Sequence, residues 1–326
     1  MLDTRIQGFP KINRAYNSTF RPDRLSVGLV VPVEAYPDRA VPTMVAHIER
    51  AQLAERLGFS ALWLRDVPFN VPSFGDAGQI YDPFVYLGAL ATATQDIALG
   101  VASVILPLRH PAHVAKAAAT ADQLSGGRLL LGVASGDRPE EYPALNMDYP
   151  NRGERFRESL AYIRSMAEDY PRVQTAQGNL SGDVDMLPKP FGGRLPLLIT
   201  GGSQQSPDWV AQNGDGWMTY PRDPLSQGRI VDDYRRRIAD VGGQDKPVMQ
   251  SLYIDLADDP NAPPKPIHLG FSAGAHFLRN YLLEVQDLGI NHVALNLRFN
   301  NAPVEDTMAR FADELLPAFT NKEAVK

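Results

Sequence analysis

A glycine-rich stretch in the middle of the chain has the residue types that bind an anion. The sequence TGGSQQS (200–206) places two glycines and several short polar residues directly before a predicted helix. Glycine lets a ligand approach the backbone, and free N–H groups at the start of a helix favour negative charge. The same residues are typical of a turn closed by a serine cap, so the stretch alone leaves both interpretations open.

A second stretch, GRLLLGVASGDRPEEYPALN (127–146), joins a buried strand to a charged loop. The loop continues as far as Asn151 before the next helix signal, a length typical of a ligand-binding loop. Within it, Arg138 is a candidate partner for a phosphate group. A salt bridge from Arg138 to Glu140 or Glu141 is the alternative.

Charged and aromatic side chains follow two further predicted strands. Arg65 and Asp66 end one of them and either bind an anionic substrate or neutralise each other. Trp217 and Tyr220 end the other, where they either stack on a ligand or fill the interior of the domain.

Several other chemistries are excluded. The chain has no cysteine, so disulfides, thiolate catalysis and cysteine metal sites are absent. His110 precedes Pro111 and lies outside the helix that carries His113, so this pair predicts no metal site. Ser135 stands one place too late for the G-x-S-x-G turn of a hydrolase nucleophile.

Composition narrows the possible partners. The chain has 326 residues, 44% of them hydrophobic, with 32 basic and 38 acidic residues and a net charge of −6. This balance provides no basic surface for nucleic acid. Neither a membrane-spanning apolar run nor the apolar core of a signal peptide is present, so we expect a cytoplasmic protein that does not bind membranes.

The elements that must position these residues alternate regularly. Predicted strands occupy 25–32, 60–66, 97–103, 127–133, 195–200, 216–220, 247–256 and 292–299. Helices are predicted to begin at or near Pro42, Asp82, Pro111, Asn151, Ser206, 225 and Ser272, with a last one carrying Met308 and Phe311.

Eight strand–helix pairs without a G-x-G-x-x-G fingerprint predict a single (β/α)₈ TIM barrel of the α/β class. The barrel is expected over 25–320, with an irregular insertion at 170–195. A polar N-terminal arm (1–24) would lie on the barrel or on a neighbouring subunit, and 321–326 would form a tail. Catalytic residues of such a barrel lie at the carboxyl ends of its strands.

Three blocks of sequence resemble the bacterial luciferase-like monooxygenases, which are flavin-dependent oxidoreductases on a (β/α)₈ barrel. The blocks are ALWLRD, the long run from YDPFVYLGALATATQDIALGVASVILPLRHP to QLSGGRLLLGVASGDRPEEY, and PLLITGGSQQSPDWVAQNGDGW. The likeness covers roughly residues 25–320 in order and is strongest over 81–138.

The resemblance implies residue roles. It places a non-prolyl cis peptide at Ala102-Ser103, beneath a flavin ring, and a phosphate-binding turn after the fifth strand. The implied cofactor-binding residues are Ala102, Ser103, Ser135, Gly136, Asp137, Arg138, Gly201, Gly202, Ser203, Gln204 and Gln205. The implied substrate pocket contains Trp63, Trp217 and Tyr220. Val67 stands where relatives carry a histidine, which leaves Arg65 and Asp66 as the only catalytic candidates.

The resemblance implies a monooxygenase that uses reduced FMN and O₂ on an unidentified small organic substrate. Hydride transfer with a deazaflavin coenzyme and flavin binding without turnover are the alternatives. Reducing power would come from a separate flavin reductase or from transient NAD(P)H binding. A homo-oligomer, either a dimer or a tetramer, is expected.

Overall fold

Eight parallel strands close into a barrel in the computed structural model, which describes residues 8–319. The barrel strands are β1 (Ser26–Val30), β2 (Ala61–Leu64), β3 (Ala98–Ile105), β4 (Leu129–Ala134), β7 (Leu197–Thr200), β8 (Gly216–Thr219), β9 (Val248–Leu256) and β12 (His292–Asn296). Each pairs in parallel with the next, and β9 pairs with both β8 and β12, which closes the ring. The predicted (β/α)₈ barrel is confirmed.

Helices cover the outside of the barrel. They are α1 (Arg14–Thr19), α2 (His47–Arg56), α3 (Pro83–Ala93), α4 (Pro111–Leu124), α5 (Glu141–Ala144), α6 (Arg152–Ser165), α7 (Pro207–Asn213), α8 (Pro224–Asp240), α9 (Ala275–Asp287) and α10 (Val304–Glu314). Proline at the first helical position starts α3, α4, α7 and α8, where its missing N–H costs nothing. Asn151 precedes α6 as predicted, although its side chain makes no capping hydrogen bond.

The helix predicted from Pro42 begins five residues later, at His47. Met44 and Ala46 have φ angles of 59° and 54°, which are incompatible with a right-handed helix. The backbone N–H groups of Thr43 and Met44 instead donate to the carboxylate of Glu34. The apolar spacing that predicted an earlier start reflects the burial of Met44 in this loop.

Two hairpins interrupt the predicted pattern. The insertion at 170–195 is not wholly irregular, because it contains the antiparallel pair β5 (Arg172–Thr175) and β6 (Gly178–Ser181). After β9, β10 (Lys265–Ile267) and β11 (Gly270–Ala273) form a second hairpin, in which β11 pairs in parallel with β9. Ser272 therefore lies in a strand, and the helix predicted to begin there begins at Ala275.

The N-terminal arm closes the amino-terminal end of the barrel. Tyr16 of α1 is completely buried, and its hydroxyl donates to the carbonyl of Asp215 at 2.6 Å. The side-chain amide of Asn13 donates to the carbonyl of Leu129 at 2.8 Å. Residues 8–24 thus lie on their own barrel. The predicted tail at 321–326 and the first seven residues lie outside the described residues.

Between residues 8 and 319, no helix is both long and apolar enough to span a bilayer.

Candidate active site at the carboxyl ends of the strands

The end of β3 has an irregular backbone. The Ala102–Ser103 peptide is cis, as the resemblance implies, and the pairing with β4 shifts register between Val101 and Val104. The Ser103 hydroxyl is hydrogen-bonded to the hydroxyl of Thr200, the last residue of β7. This hydrogen bond ties the irregular end of β3 to the start of the glycine-rich turn.

The glycine-rich turn presents a row of backbone N–H groups. Gly201, Ser203 and Gln204 have φ angles of 54°, 44° and 62°, so the chain is left-handed at three of four consecutive residues. Within the described part of the chain, the amides of Gly202, Ser203 and Gln204 donate to no other group. A Cβ placed on Gly201 would meet no atom within 4 Å, so this backbone borders open space. Successive free amides of this kind form an anion-binding concavity.

Ser206 caps α7 by accepting a hydrogen bond from the amide of Trp209 at 3.2 Å. The serine-cap interpretation is therefore correct for Ser206. It does not compete with the anion-binding interpretation, because the three free amides precede the cap. Since α7 has only seven residues, the turn itself, rather than the helix, supplies the donors.

Neighbouring elements hold this turn in place. The side-chain amide of Gln205 donates to the carbonyl of Gly153 at 2.8 Å, which joins the turn to the start of α6. From β8, the indole of Trp217 donates to the carbonyl of Gly201 at 3.0 Å, and its ring packs on Tyr234 of α8. Trp217 thus lies between the barrel wall and the helices. That Trp217 also lines a substrate pocket stays a prediction.

The small residues that end β4 are required by packing within the chain. A Cβ on Gly136, whose φ is 79°, would lie 2.8 Å from both Ile105 Cγ2 and the Tyr142 hydroxyl. That hydroxyl donates to the carbonyl of Ser135. Asp137 follows and is exposed.

Arg138 faces the 66–80 segment, here called the cover, rather than the glycine-rich turn. Its guanidinium lies over the ring of Phe74 in the cover, 4.4 Å from the ring centroid. Arg138 is 6% exposed, and its Nη1 lies 3.9 Å from Glu141 Oε1; within the described residues neither atom has a hydrogen-bond partner. Burial lowers the pKa of Arg138, and so does the nearby charge of Arg65. Burial raises the pKa of Glu141.

Arg65 and Asp66 do not pair with each other. Arg65 Nη1 donates to Asp76 Oδ2 at 2.7 Å, whereas Asp66 accepts from Arg109 at 2.7 Å and from the amide of Ile105 at 3.2 Å. The Asp66 side chain is 1% exposed, so no face of it is free for a substrate. Asp66 joins the end of β2 to the end of β3. Of the two catalytic candidates, Arg65 is the one whose side chain is partly exposed, at 24%.

The two other aromatic candidates lie at different depths. Trp63 is completely buried inside the barrel, where its indole donates to His292 Nε2 at 2.8 Å. Trp63 therefore lies beneath the mouth of the barrel, and its predicted place in a substrate pocket stays a prediction. Tyr220 is 48% exposed at the end of β8, and partial burial raises its pKa.

Several residues of the mouth escaped the sequence analysis. Asp76 accepts hydrogen bonds from Arg65, from the Tyr36 hydroxyl and from the amide of Gly78, and it lies 3.2 Å from Arg298. The only available signal was its place in the Pro- and Gly-rich cover.

A group of aromatic rings was also missed. The ring of Tyr253, near the end of β9, packs against His268 and Phe299 at centroid distances of 5.5 Å and 5.3 Å. His268 comes from the β10–β11 hairpin, which the sequence did not reveal.

Away from the strand ends, the described residues form an apolar groove but no metal site. A groove of about 200 Å³ lies outside the barrel, between α4, α6 and the insertion, and is lined mainly by apolar side chains such as Ala115, Ile163 and Met186. It holds none of the residues at the strand ends. Among residues 8–319, no three His, Asp or Glu side chains are grouped closely enough to bind a metal ion.

The fold and the site together define a class: a (β/α)₈ barrel with a turn of three free amides beside a non-prolyl cis peptide at its carboxyl face. The chain belongs to the luciferase-like monooxygenase family, whose model matches residues 25–319.

Similar proteins use two kinds of cofactor. The oxygenase component of a flavin-dependent trigonelline monooxygenase from Acinetobacter baylyi is 31% identical over 50% of this chain and 42% of its own length. An F420-dependent hydroxymycolic acid dehydrogenase from Mycobacterium tuberculosis is 27% identical over 79% of this chain and 70% of its own. The solved monooxygenase RslO1 from Streptomyces bottropensis shares the fold, with a TM-score of 0.76 and 21% identity over 90% of this chain and all of its own.

Proposed function

We propose that this chain is a flavin-dependent monooxygenase that uses reduced FMN and O₂ to oxidise a small organic molecule. The observation that carries the proposal is the junction between β3 and β7. There the Ser103 hydroxyl is hydrogen-bonded to the hydroxyl of Thr200, which directly precedes a turn with three free backbone amides. In a member of this family, such a junction fits a cofactor with a flat ring at one end and a phosphate at the other.

Each end of the cofactor has residues to hold it. The free amides of Gly202, Ser203 and Gln204 would bind the phosphate, and the end of β3 would support the ring. Reduced FMN, when bound, supplies the electrons and the position at which oxygen is activated. Asp66 positions the end of β3 by accepting the amide hydrogen of Ile105. The cover contacts Arg65, since a Cβ placed on Gly78 would lie 3.0 Å from the Arg65 guanidinium.

Hydride transfer with the deazaflavin coenzyme F420 is the second candidate. The relative that uses F420 matches 79% of this chain, against 50% for the flavin-dependent relative. Both cofactors carry a planar ring and a phosphate, so the same junction serves either. They differ in reactivity towards oxygen, which the deazaflavin does not activate.

The test is a fluorescence titration of the purified full chain with FMN and with F420, each oxidised and reduced. FMN binding at micromolar concentration or tighter supports the proposal, and binding of F420 alone replaces it with hydride transfer. FMN binding without O₂ uptake, across a panel of substrates, would favour a flavin-binding protein without turnover. Binding of neither cofactor would refute the assignment of the junction.

A matched pair of variants locates the phosphate. Gly202→Asp places a carboxylate beside the free amides and should weaken FMN binding at least about tenfold, since one charge–charge contact of this kind is worth over 1.4 kcal/mol. Gly88→Asp adds the same group on the outer helix α3, where a Cβ has no neighbour within 4 Å, and should leave FMN binding unchanged. Equal affinities in the two variants would exclude the turn.

We also infer that a separate flavin reductase supplies the electrons, because the trigonelline relative is the oxygenase component of its system. NADH consumption by this chain with FMN should be negligible alone and should rise when a flavin reductase is added. Rapid NAD(P)H oxidation by the chain alone would instead support transient binding of the nicotinamide. Sedimentation of the purified chain tests whether it forms the expected dimer or tetramer.

A further inference from the structure

Arg65 is a partly unpaired cation at the mouth of the barrel. Its side chain is 24% exposed, and its Nη1 donates to Asp76 at 2.7 Å. Within the described residues, its guanidinium makes no other hydrogen bond, although it has five N–H donors. The cover lies directly on it, because a Cβ placed on Gly78 would be 3.0 Å from the same Nη1.

Two further arginines, Arg138 and Arg298, lie near Arg65, together with the carboxylates of Asp76, Asp137 and Glu141. Asp76 is shared between Arg65 and Arg298, since its Oδ2 lies 2.7 Å from one guanidinium and 3.2 Å from the other. Among the described residues, Nη1 of the buried Arg138 has no hydrogen-bond partner. The positive charge of Arg65 is close enough to contribute to the lowered pKa of Arg138. The Oε1 atom of Glu141 lies 3.9 Å from Nη1 of Arg138, and burial raises the pKa of Glu141.

Aromatic rings stand beside this cation. Tyr253 lies close enough to Arg65 and Asp76 for both charges to act on its pKa, which burial raises. Its ring packs on Phe299 at a centroid distance of 5.3 Å. A guanidinium with one paired N–H group, next to two rings inclined at 44°, matches a ligand with a flat apolar body and a carboxylate, because the remaining donors of an arginine can bind a carboxylate in a bidentate manner.

We propose that the substrate is an aromatic carboxylate, whose carboxylate binds Arg65 and whose ring packs against Tyr253 and Phe299. The inference rests on the proposed function for the reaction, but the binding it describes is tested without turnover. The competing explanation is that Arg65 only holds the cover in place through Asp76.

The experiment is calorimetric titration of the full chain with benzoate and with benzamide, which has the same ring and no charge. Benzoate should bind at least about tenfold more tightly, since a hydrogen bond to a charged group contributes ~1.5–3 kcal/mol. Arg65→Met should abolish this preference by weakening benzoate binding and leaving benzamide unchanged, and Arg65→Lys should retain part of it. Arg14→Met, which removes an exposed positive charge at the other end of the barrel, should bind like the unaltered chain.

Asp76→Asn separates the two explanations. If Arg65 receives the substrate, releasing it from Asp76 should preserve or strengthen benzoate binding. If Arg65 only holds the cover, Asp76→Asn and Arg65→Met should weaken benzoate binding alike, and the proposal is overturned. Equal affinity for benzoate and benzamide, or no benzoate binding, overturns it as well.

The FMN titration keeps the two proposals distinguishable. A benzoate preference in a chain that binds neither flavin nor deazaflavin would support the carboxylate site and refute the proposed function. FMN binding without a benzoate preference would refute the carboxylate site alone.

Discussion

His292 should make the stability of the barrel depend on pH. Its ring is completely buried, with Nε2 accepting a hydrogen bond from the indole of Trp63 at 2.8 Å. Because an indole can only donate, the ring proton must be on Nδ1, which lies 2.7 Å from the Ser26 hydroxyl. Protonation of His292 would place a second proton on Nε2, where it would point at the indole N–H of Trp63 and remove the acceptor of that hydrogen bond. Burial lowers the pKa of His292 from 6.5 to about 3.

The sign of the effect follows from the direction of the shift. Below pH 6.5 the unfolded chain takes up a proton on this ring that the folded chain refuses, so stability falls as the pH decreases towards about 3. Between pH 7 and pH 5 the free energy of unfolding should decrease by about 2 kcal/mol from this group alone. At pH 5 the ring is still neutral in the folded chain, so the loss of stability between pH 7 and pH 5 is determined by the pKa of His292 in the unfolded chain.

Urea unfolding at pH 7 and pH 5 measures this loss in the unaltered chain and in His292→Gln. Glutamine can accept the indole hydrogen but does not titrate, and the other five of the six histidines are present in both proteins. The variant should be less stable at both pH values, yet its loss between them should be smaller by about 2 kcal/mol. Equal losses would show that His292 is protonated inside the barrel and would refute the argument.

Four further substitutions should change stability. Gly100→Ala should lower the Tm because its Cβ would lie 2.3 Å from the locked ring of Trp63, whereas Gly88→Ala on α3 should stabilise by up to about 1 kcal/mol. Arg128→Met should cost about 3 kcal/mol or more in chemical unfolding, since this buried guanidinium donates to four backbone carbonyls. Asp66→Ala leaves Arg109 paired only with the more exposed Asp82 and leaves the amide of Ile105 without its acceptor, so it should cost about 2 kcal/mol, and an unchanged urea midpoint would contradict this.

The barrel could be predicted from the sequence because each strand is an apolar run between turn residues. The β10–β11 hairpin could not, since β11 carries no apolar run and exists because it pairs with β9. The predicted start of α2, at Pro42, was wrong for a similar reason. The conformation of Met44 is determined by hydrogen bonds to Glu34, ten residues earlier, rather than by its neighbours.

Positions in the site were easier to predict than contacts. The Ala102–Ser103 cis peptide and the glycine-rich turn stand where local residue types and the resemblance placed them. The partners of Arg65 and Asp66 come from separate segments, the cover and the loop after β3, so adjacency along the chain did not predict their pairing. The side of the barrel wall on which Trp217 lies depends on strand register, which a five-residue strand prediction does not determine.

The pairing of the first and last strands of the barrel has a consequence for biosynthesis. Ser26 of β1 pairs with His292 of β12, and the amide of Leu25 donates to Gln286, 261 residues further along the chain. At ribosomal rates of ~5–20 residues per second, the edge of β1 waits roughly 15 to 50 s for its partner. During that time β1 is an unpaired, almost wholly apolar strand edge, the kind of surface that chaperones protect. The ring therefore cannot close until β12 has been synthesised, and truncation before β12 should yield an aggregating chain rather than a smaller barrel.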